Sequence, residues 1–260
     1  GQSLVPMMNL RLARPEGLIY LNQIEELDYV SDSGDSIEIG AITRLRSVEM
    51  DEKIVTSVPL LREAISYVAH TAIRTRGTIG GNVAHADPSA EIPTVLVALG
   101  GEVVASSSKG DRTISAKDFF LGAFFTELDE REIVKSIRIP KETKSSGSAF
   151  VEFAPRHGDF AIVGVAAVIS RNDSGHVDSV RLVVAGVDGK PLDVSSEADS
   201  LLGNENVTLD SFAEVAQNVF KRVEPGGDIH ASEDFRRELS QTLTVKALNL
   251  AWKRLGGSNE

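Results

Sequence analysis

The stretch Arg74-Thr-Arg-Gly-Thr-Ile-Gly-Gly-Asn82 decides the reading of this chain. Two adjacent glycines, Gly80 and Gly81, follow a small hydroxyl residue, Thr78, and precede an amide, Asn82. Glycine permits positive φ and close backbone approach, so successive N–H groups of such a turn can line a concavity for phosphate oxygens. Thr78 and Asn82 add side-chain donors at its rim. Downstream, Val83-Ala-His-Ala-Asp-Pro-Ser-Ala-Glu-Ile-Pro93 keeps small residues beside the turn. Asp87 reads there as an N-cap with Pro88 at the first helical position, which aims a helix N-terminus back at the glycines. The same pair also suits a plain turn with no ligand. A Rossmann site is not indicated, because the G-x-G-x-x-G spacing is missing and a helix, not a strand, leads into the turn.

Composition narrows the classes around this turn. With 260 residues and 42% hydrophobic content, the chain can build one large or two medium domains. Lys+Arg 27 against Asp+Glu 38, a net charge of -11, argues against nucleic acid or anionic membrane as the main partner. Cys 0 leaves no thiolate for an iron–sulfur cluster, a disulfide or a nucleophile on this chain. The five histidines lack metal-ligand spacing. The longest apolar run, Ala161 to Ile169, is too short to cross a bilayer, and no signal pattern is visible, so the cytoplasm is expected. There is no G-x-S-x-G, H-E-x-x-H or P-loop, which fits a protein whose reactivity belongs to a bound cofactor.

Read along its length, the chain is α+β. Leu18 to Leu21 reads as a short buried strand, and Leu27 to Val30 pairs with Ser36 to Gly40 across a turn at Asp32-Ser-Gly-Asp35. Thr43 opens a brief helix through Met50. Pro59 starts a longer one carrying Leu60, Leu61, Ala64, Ile65, Val68, Ala69 and Ala72 on one face as far as Arg74. A helix over 88–99 stops at Gly100-Gly101, and residues 102–107 and 112–115 form a hairpin. The phenylalanines at 119, 120, 124 and 125 read as core. Residues 132–139 alternate as a strand ending at Pro140. Residues 141–147 read as a linker. Beyond it, residues 149–153, 161–170 and 177–187 read as three strands of a meander. Helices follow after Ser195, from an N-cap at Asp210 to Arg222, and from Ser232 to Leu255, stopped by Gly256-Gly257.

Two separated motifs then carry a resemblance. Thr78-Ile-Gly-Gly-Asn82 with Asp87-Pro88 and Glu91, together with Gly1-Gln-Ser-Leu-Val-Pro-Met-Met-Asn-Leu-Arg-Leu12, resembles the FAD-binding medium subunit of molybdenum hydroxylases, such as aerobic carbon monoxide dehydrogenase and xanthine dehydrogenase-like enzymes. The resemblance implies a PCMH-type (vanillyl-alcohol-oxidase-like) FAD-binding domain over 1–146, and over 147–257 a three-stranded antiparallel sheet with helices. It implies that Gly1, Gln2, Ser3 and Leu4 form a first phosphate turn and that Thr78, Ile79, Gly80, Gly81 and Asn82 form the second. Glu91 would take a sugar or ribityl hydroxyl, since a carboxylate accepts from hydroxyls and repels phosphate. Ile133 would pack near the flavin, or be an ordinary strand core residue. Val68 and Ala69 would lie by the adenine. Because the chain starts inside the first motif, a subdomain preceding Gly1 is expected to be missing. The implied partners are a small 2Fe-2S subunit and a large molybdopterin subunit, arranged as a dimer of heterotrimers, with electrons leaving to a quinone, NAD or oxygen. No residue here need touch the hydroxylated substrate. The alternatives are a free-standing FAD oxidoreductase, and a scaffold subunit that has lost FAD.

Overall fold

The computed structural model describes residues 1–257. The N-terminal segment holds one short helix, α1 (Leu4–Asn9), none of whose residues is buried. Leu18 to Leu21 is not a strand. Ile19 is 89% exposed and a single 3-10 turn follows at Leu21–Gln23. With no neighbouring strand to take its N–H groups, the apolar run stays extended at the surface.

Five antiparallel strands form the first sheet, in the order β1-β2-β7-β3-β4. They are β1 (Val30–Asp32), β2 (Ser36–Gly40), β3 (Glu102–Ser107), β4 (Gly110–Ser115) and, central to them, β7 (Ile133–Pro140). The β1–β2 hairpin turns where expected, with Val30 opposite Ile39. Between β2 and β3 run α2 (Leu45–Met50), α3 (Glu52–Ser57), α4 (Pro59–Tyr67), α5 (Thr71–Arg74), α6 (Ile79–His85) and α7 (Glu91–Ala98). A short α8 (Ala116–Phe119) and the small pair β5 (Phe120–Gly122) and β6 (Phe125–Thr126) fill the gap before β7. Phe119 and Phe120 are core as expected. Phe124 and Phe125 are not, at 59% and 63% exposure.

The second sheet runs β11-β10-β9-β8. Its three long strands are the expected meander, β8 (Ser146–Phe153), β9 (Val163–Arg171) and β10 (Val177–Ala185), and β11 (Leu192–Asp193) adds a two-residue edge. A 3-10 stretch at Ser195–Leu201 precedes α9 (Leu209–Arg222) and α10 (Glu233–Arg254). Thr208, not Asp210, caps α9. Its hydroxyl accepts the Ser211 N–H while Ser211 reaches back, a reciprocal pair that fixes the start two residues earlier.

This sheet is covered on both faces. Ala149, Val151, Val165, Ala167, Leu182 and Val184 face α9 and α10, while Phe150, Ala166 and Val183 join the core around α4 and α7. That explains why residues 161–169 are apolar without alternation. All eight residues of α7 are buried between the two layers. Residues 141–147 are accordingly a seam and no free linker. Glu142 accepts the Leu60 N–H at 2.9 Å and the Ser148 hydroxyl, and Glu63 accepts the Phe150 N–H at 3.0 Å while pairing with Arg254 at 2.7 Å.

The expected helix from Pro59 to Arg74 is broken. Val68 ends α4, and Ala69 takes a left-handed φ of 45°. Arg74, buried, donates to the carbonyls of Val68 (2.9 Å) and Ala69 (3.1 Å) and pairs with Glu49. Its guanidinium supplies the donors that the carbonyls at the break would otherwise lack.

Candidate functional site

The quoted stretch is the start of a helix. Thr78 is extended (φ -115°, ψ 153°) and its hydroxyl accepts the Gly81 N–H at 3.1 Å, the N-cap bond that launches α6. Gly80 and Gly81 sit in the first turn and are not among the positive-φ glycines. Most of the N–H groups expected to face a phosphate are already engaged: Ile79 donates to the Thr43 carbonyl at 3.0 Å, Gly80 to the Ala41 carbonyl at 2.9 Å and Asn82 to the Thr78 carbonyl at 3.1 Å. The Ile79 side chain is core.

The two glycines serve different needs. A Cβ on Gly80 would stand 2.4 Å from the Ala41 Cβ and 2.7 Å from its Cα, so close packing of α6 on the end of β2 demands glycine there. A Cβ on Gly81 would meet only the Thr78 hydroxyl, at 2.8 Å. Gly81 is exposed and leaves the cap hydroxyl open to an approaching group. Next to it, Asn82 Oδ1 is buried with no hydrogen-bond partner among the described residues.

The corner from α6 to α7 differs from expectation. Ala86 turns left-handed (φ 51°), and its carbonyl accepts the N–H of Phe124, itself at φ 58° with its ring 5.0 Å from that of His85. Asp87 does not cap the next helix. Its carboxylate accepts the Ser89 N–H at 2.9 Å, a local turn, and the Pro88 carbonyl accepts the Gly186 N–H at 3.0 Å. That bond holds the chain in a turn through Ala90, so α7 starts at Glu91.

Glu91 is 5% exposed. Burial pushes its carboxyl up to about 7, and the charge of Asp87 adds to this. Facing it from β8 is Glu152, pushed up to about 8 by burial and then by the charge of Glu91. Glu152 Oε2 is buried and has no partner among the described residues. Sequence reasoning missed Glu152. The signal was available in Ala149-Phe-Val-Glu-Phe153, where a charged residue occupies a strand otherwise apolar on both faces.

Ile133 opens β7 opposite Ser106 and is 39% exposed. Two residues on, the Lys135 carbonyl accepts the Ala41 N–H at 2.9 Å, and Ala41 in turn receives Gly80. One chain of backbone bonds therefore links the strand of Ile133 to the first turn of α6. Thr78 to Asn82, Glu91 and the start of β7 are gathered on neighbouring elements. Gly1 to Leu4 are not bonded to them. Gly1 is exposed, Gln2 and Ser3 are half-buried, and Leu4 begins α1. Among the described residues, the hydrogen bonds of this segment stay within it, as Met7 N–H to Ser3 carbonyl at 3.1 Å.

Comparison with known proteins identifies the family of the two sheets and their helices. The family model described as the FAD binding domain in molybdopterin dehydrogenase matches residues 1–142, and that of the CO dehydrogenase flavoprotein C-terminal domain matches residues 148–251. The chain is 34% identical to the 6-hydroxypseudooxynicotine dehydrogenase complex subunit alpha of Paenarthrobacter nicotinovorans, over 100% of this chain and 88% of that protein. It is 33% identical to the carbon monoxide dehydrogenase medium chain of Hydrogenophaga pseudoflava, over 98% and 88%. The solved carbon monoxide dehydrogenase from Hydrogenophaga pseudoflava superposes with a TM-score of 0.93 at 34% identity, over 98% of this chain and 88% of that one.

Proposed function

This chain belongs to the FAD-binding medium subunits of the molybdenum hydroxylases, and on that premise we infer how its own residues hold the cofactor and what the loaded subunit does. The observation that carries the inference is the set of acceptor groups buried on α6, α7 and β8: Asn82 Oδ1 and Glu152 Oε2 are buried with no hydrogen-bond partner among the described residues, and the Glu91 carboxyl is buried beside the charge of Asp87. Buried acceptor oxygens of this kind call for a ligand carrying donors. FAD carries them in its ribose and ribityl hydroxyls, and these residues fit the group.

In this reading the Thr78 hydroxyl binds a diphosphate oxygen beside the exposed Gly81, with the Asn82 amide next to it. The Glu91 carboxylate accepts from a hydroxyl and fixes the orientation of the sugar or ribityl chain. Gly1 to Leu4 close the diphosphate from the other side, and Ile133 keeps water from the ring. Bound FAD supplies the redox chemistry, and the protein supplies position and electrostatics. Residues 1–146 form the FAD domain and 147–257 the second domain. The subunit takes electrons from iron–sulfur clusters of a small partner, which drain a molybdenum cofactor on a large partner, and delivers them to an external acceptor in the cytoplasm. With Cys 0, this chain holds no cysteine-ligated cluster of its own, which supports a cluster on a partner.

The test is an absorption spectrum of the purified chain titrated with FAD. Bound-flavin bands that saturate at one per chain support the reading, and a colourless protein that leaves FAD fluorescence unchanged overturns it.

A further inference from the structure

Strand alternation places Glu152 on a particular face. Ala149 and Val151 point to α9 and α10 while Phe150 points to α4 and α7, so Glu152 faces the α7 side with Phe150. Across the sheet in register with it stand Gly164 and then Ala185. The Phe150 ring lies over Gly164, where a Cβ would fall 3.1 Å from it, and beside that ring Glu152 is half-buried with its Oε2 covered and unpartnered among the described residues. The residue after Ala185, Gly186, donates to the Pro88 carbonyl at 3.0 Å and pins the lead-in of α7 against this end of the sheet. Glu91 follows three residues later. Two carboxyls, one from each domain, thus look into the same space.

The other titratable groups around them do not neutralise the pair. From the α7 lead-in comes Asp87, also acidic. From α4 comes Tyr67, whose phenol is pushed up by burial first and feels the charge of Glu152 among others. The His85 ring of α6 lies against Phe124. From α10, Arg236 is engaged with the carbonyls of Ile162 (2.6 Å) and Gly186 (2.9 Å) and with Asp228.

We propose that Glu152 carries a proton at neutral pH and is the hydrogen-bond donor that the second domain offers to bound FAD, with Glu91 as its ionised, hydroxyl-accepting counterpart. The inference rests on the cofactor reading above. Two like carboxyls sharing one low-dielectric space cannot both ionise cheaply, and their surroundings divide the roles: Glu91 accepts its own backbone N–H, which favours its charge, while Glu152 Oε2 has no hydrogen-bond partner among the described residues. The pair titrates as a unit near 7 to 8. An ionised Glu152 would present a second negative charge and no donor to a ligand whose ring and phosphate oxygens are acceptors.

The experiment measures FAD dissociation constants by quenching of flavin fluorescence at pH 7 and pH 9. Binding that requires the protonated form of a group titrating near 8 weakens about tenfold across that interval. Glu152→Gln keeps a neutral donor and should show the same affinity at both pH values, exceeding the parent at pH 9. Glu152→Leu should bind weakly at both. Equal parent affinity at pH 7 and pH 9 overturns the proposal while leaving the cofactor reading intact. Absence of FAD binding at either pH overturns both. Infrared difference spectra of the FAD-free chain give a reading independent of cofactor: a protonated-carboxyl band present at pH 7, lost by pH 9 and missing in Glu152→Gln supports the assignment. No such band at pH 7 overturns it.

Discussion

The two walls of the candidate site differ in how they treat their own polar groups. At the start of α6 nearly every backbone donor is spoken for: Ile79, Gly80 and Asn82 bond to Thr43, Ala41 and Thr78, and the cap hydroxyl takes Gly81. On α7 and β8, Glu91 is buried and Glu152 half-buried with no ion pair to a cation among the described residues, and Glu152 Oε2 has no hydrogen-bond partner there. The first wall is built to stand without a ligand. The second carries an electrostatic cost in the free protein that a hydroxyl-bearing ligand relieves.

The sharpest way to break this contrast is through pH. A carboxyl whose folded-state value is raised contributes its stability below its unfolded value, near 4.5, and that stability is lost as pH rises through the folded value. For Glu91, held near 7, the loss between pH 5 and pH 8 is on the order of 3 kcal/mol. Urea unfolding of the FAD-free chain should therefore show the parent losing about that much relative to Glu91→Gln over this interval. Parallel pH profiles for the two would mean that the acidic wall is not strained.

On the α6 wall the effects are steric. Gly80→Ala puts a methyl against the Ala41 backbone and should cost about 2 kcal/mol, because overpacking a closed contact forces the helix off its seat. Thermal unfolding checks it, and an unshifted midpoint would deny the close approach. Thr78→Ala removes the N-cap bond and should cost about 1 kcal/mol with a parallel loss of FAD affinity. Gly81→Ala is the finest discriminator. Its Cβ meets only the Thr78 hydroxyl, so stability should move by less than about 1 kcal/mol while FAD affinity falls more than the stability change accounts for. Stability and affinity falling together at Gly81 would erase the distinction between the two glycines.

Much of the frame was legible beforehand. The β1–β2 hairpin, the β3–β4 hairpin and the three long strands of the second sheet follow from alternation and turn residues, which act over a few positions. Ser232 opens α10 and Gly256, at φ 82°, follows its end, again local chemistry. Errors arose where distant partners intervene. Residues 18–21 have strand composition and no strand beside them. The helix from Pro59 breaks at Val68 because Arg74 reaches back to hold the exposed carbonyls. Asp87 looked like a cap, and the bond from Gly186 to Pro88 delays the helix to Glu91.

The sequence by itself determined the kind of protein: two glycine-bearing motifs, an acid thirteen residues after Thr78 and no cysteine, a pattern legible because motif chemistry is written in consecutive residues. Only the tertiary structure decided what each of those residues does. Gly80 is glycine because of Ala41, and Glu91 is held near neutrality because packing buries it and sets the charge of Asp87 close by. Steric contact and desolvation depend on what packing places nearby, and spacing along the chain does not encode that.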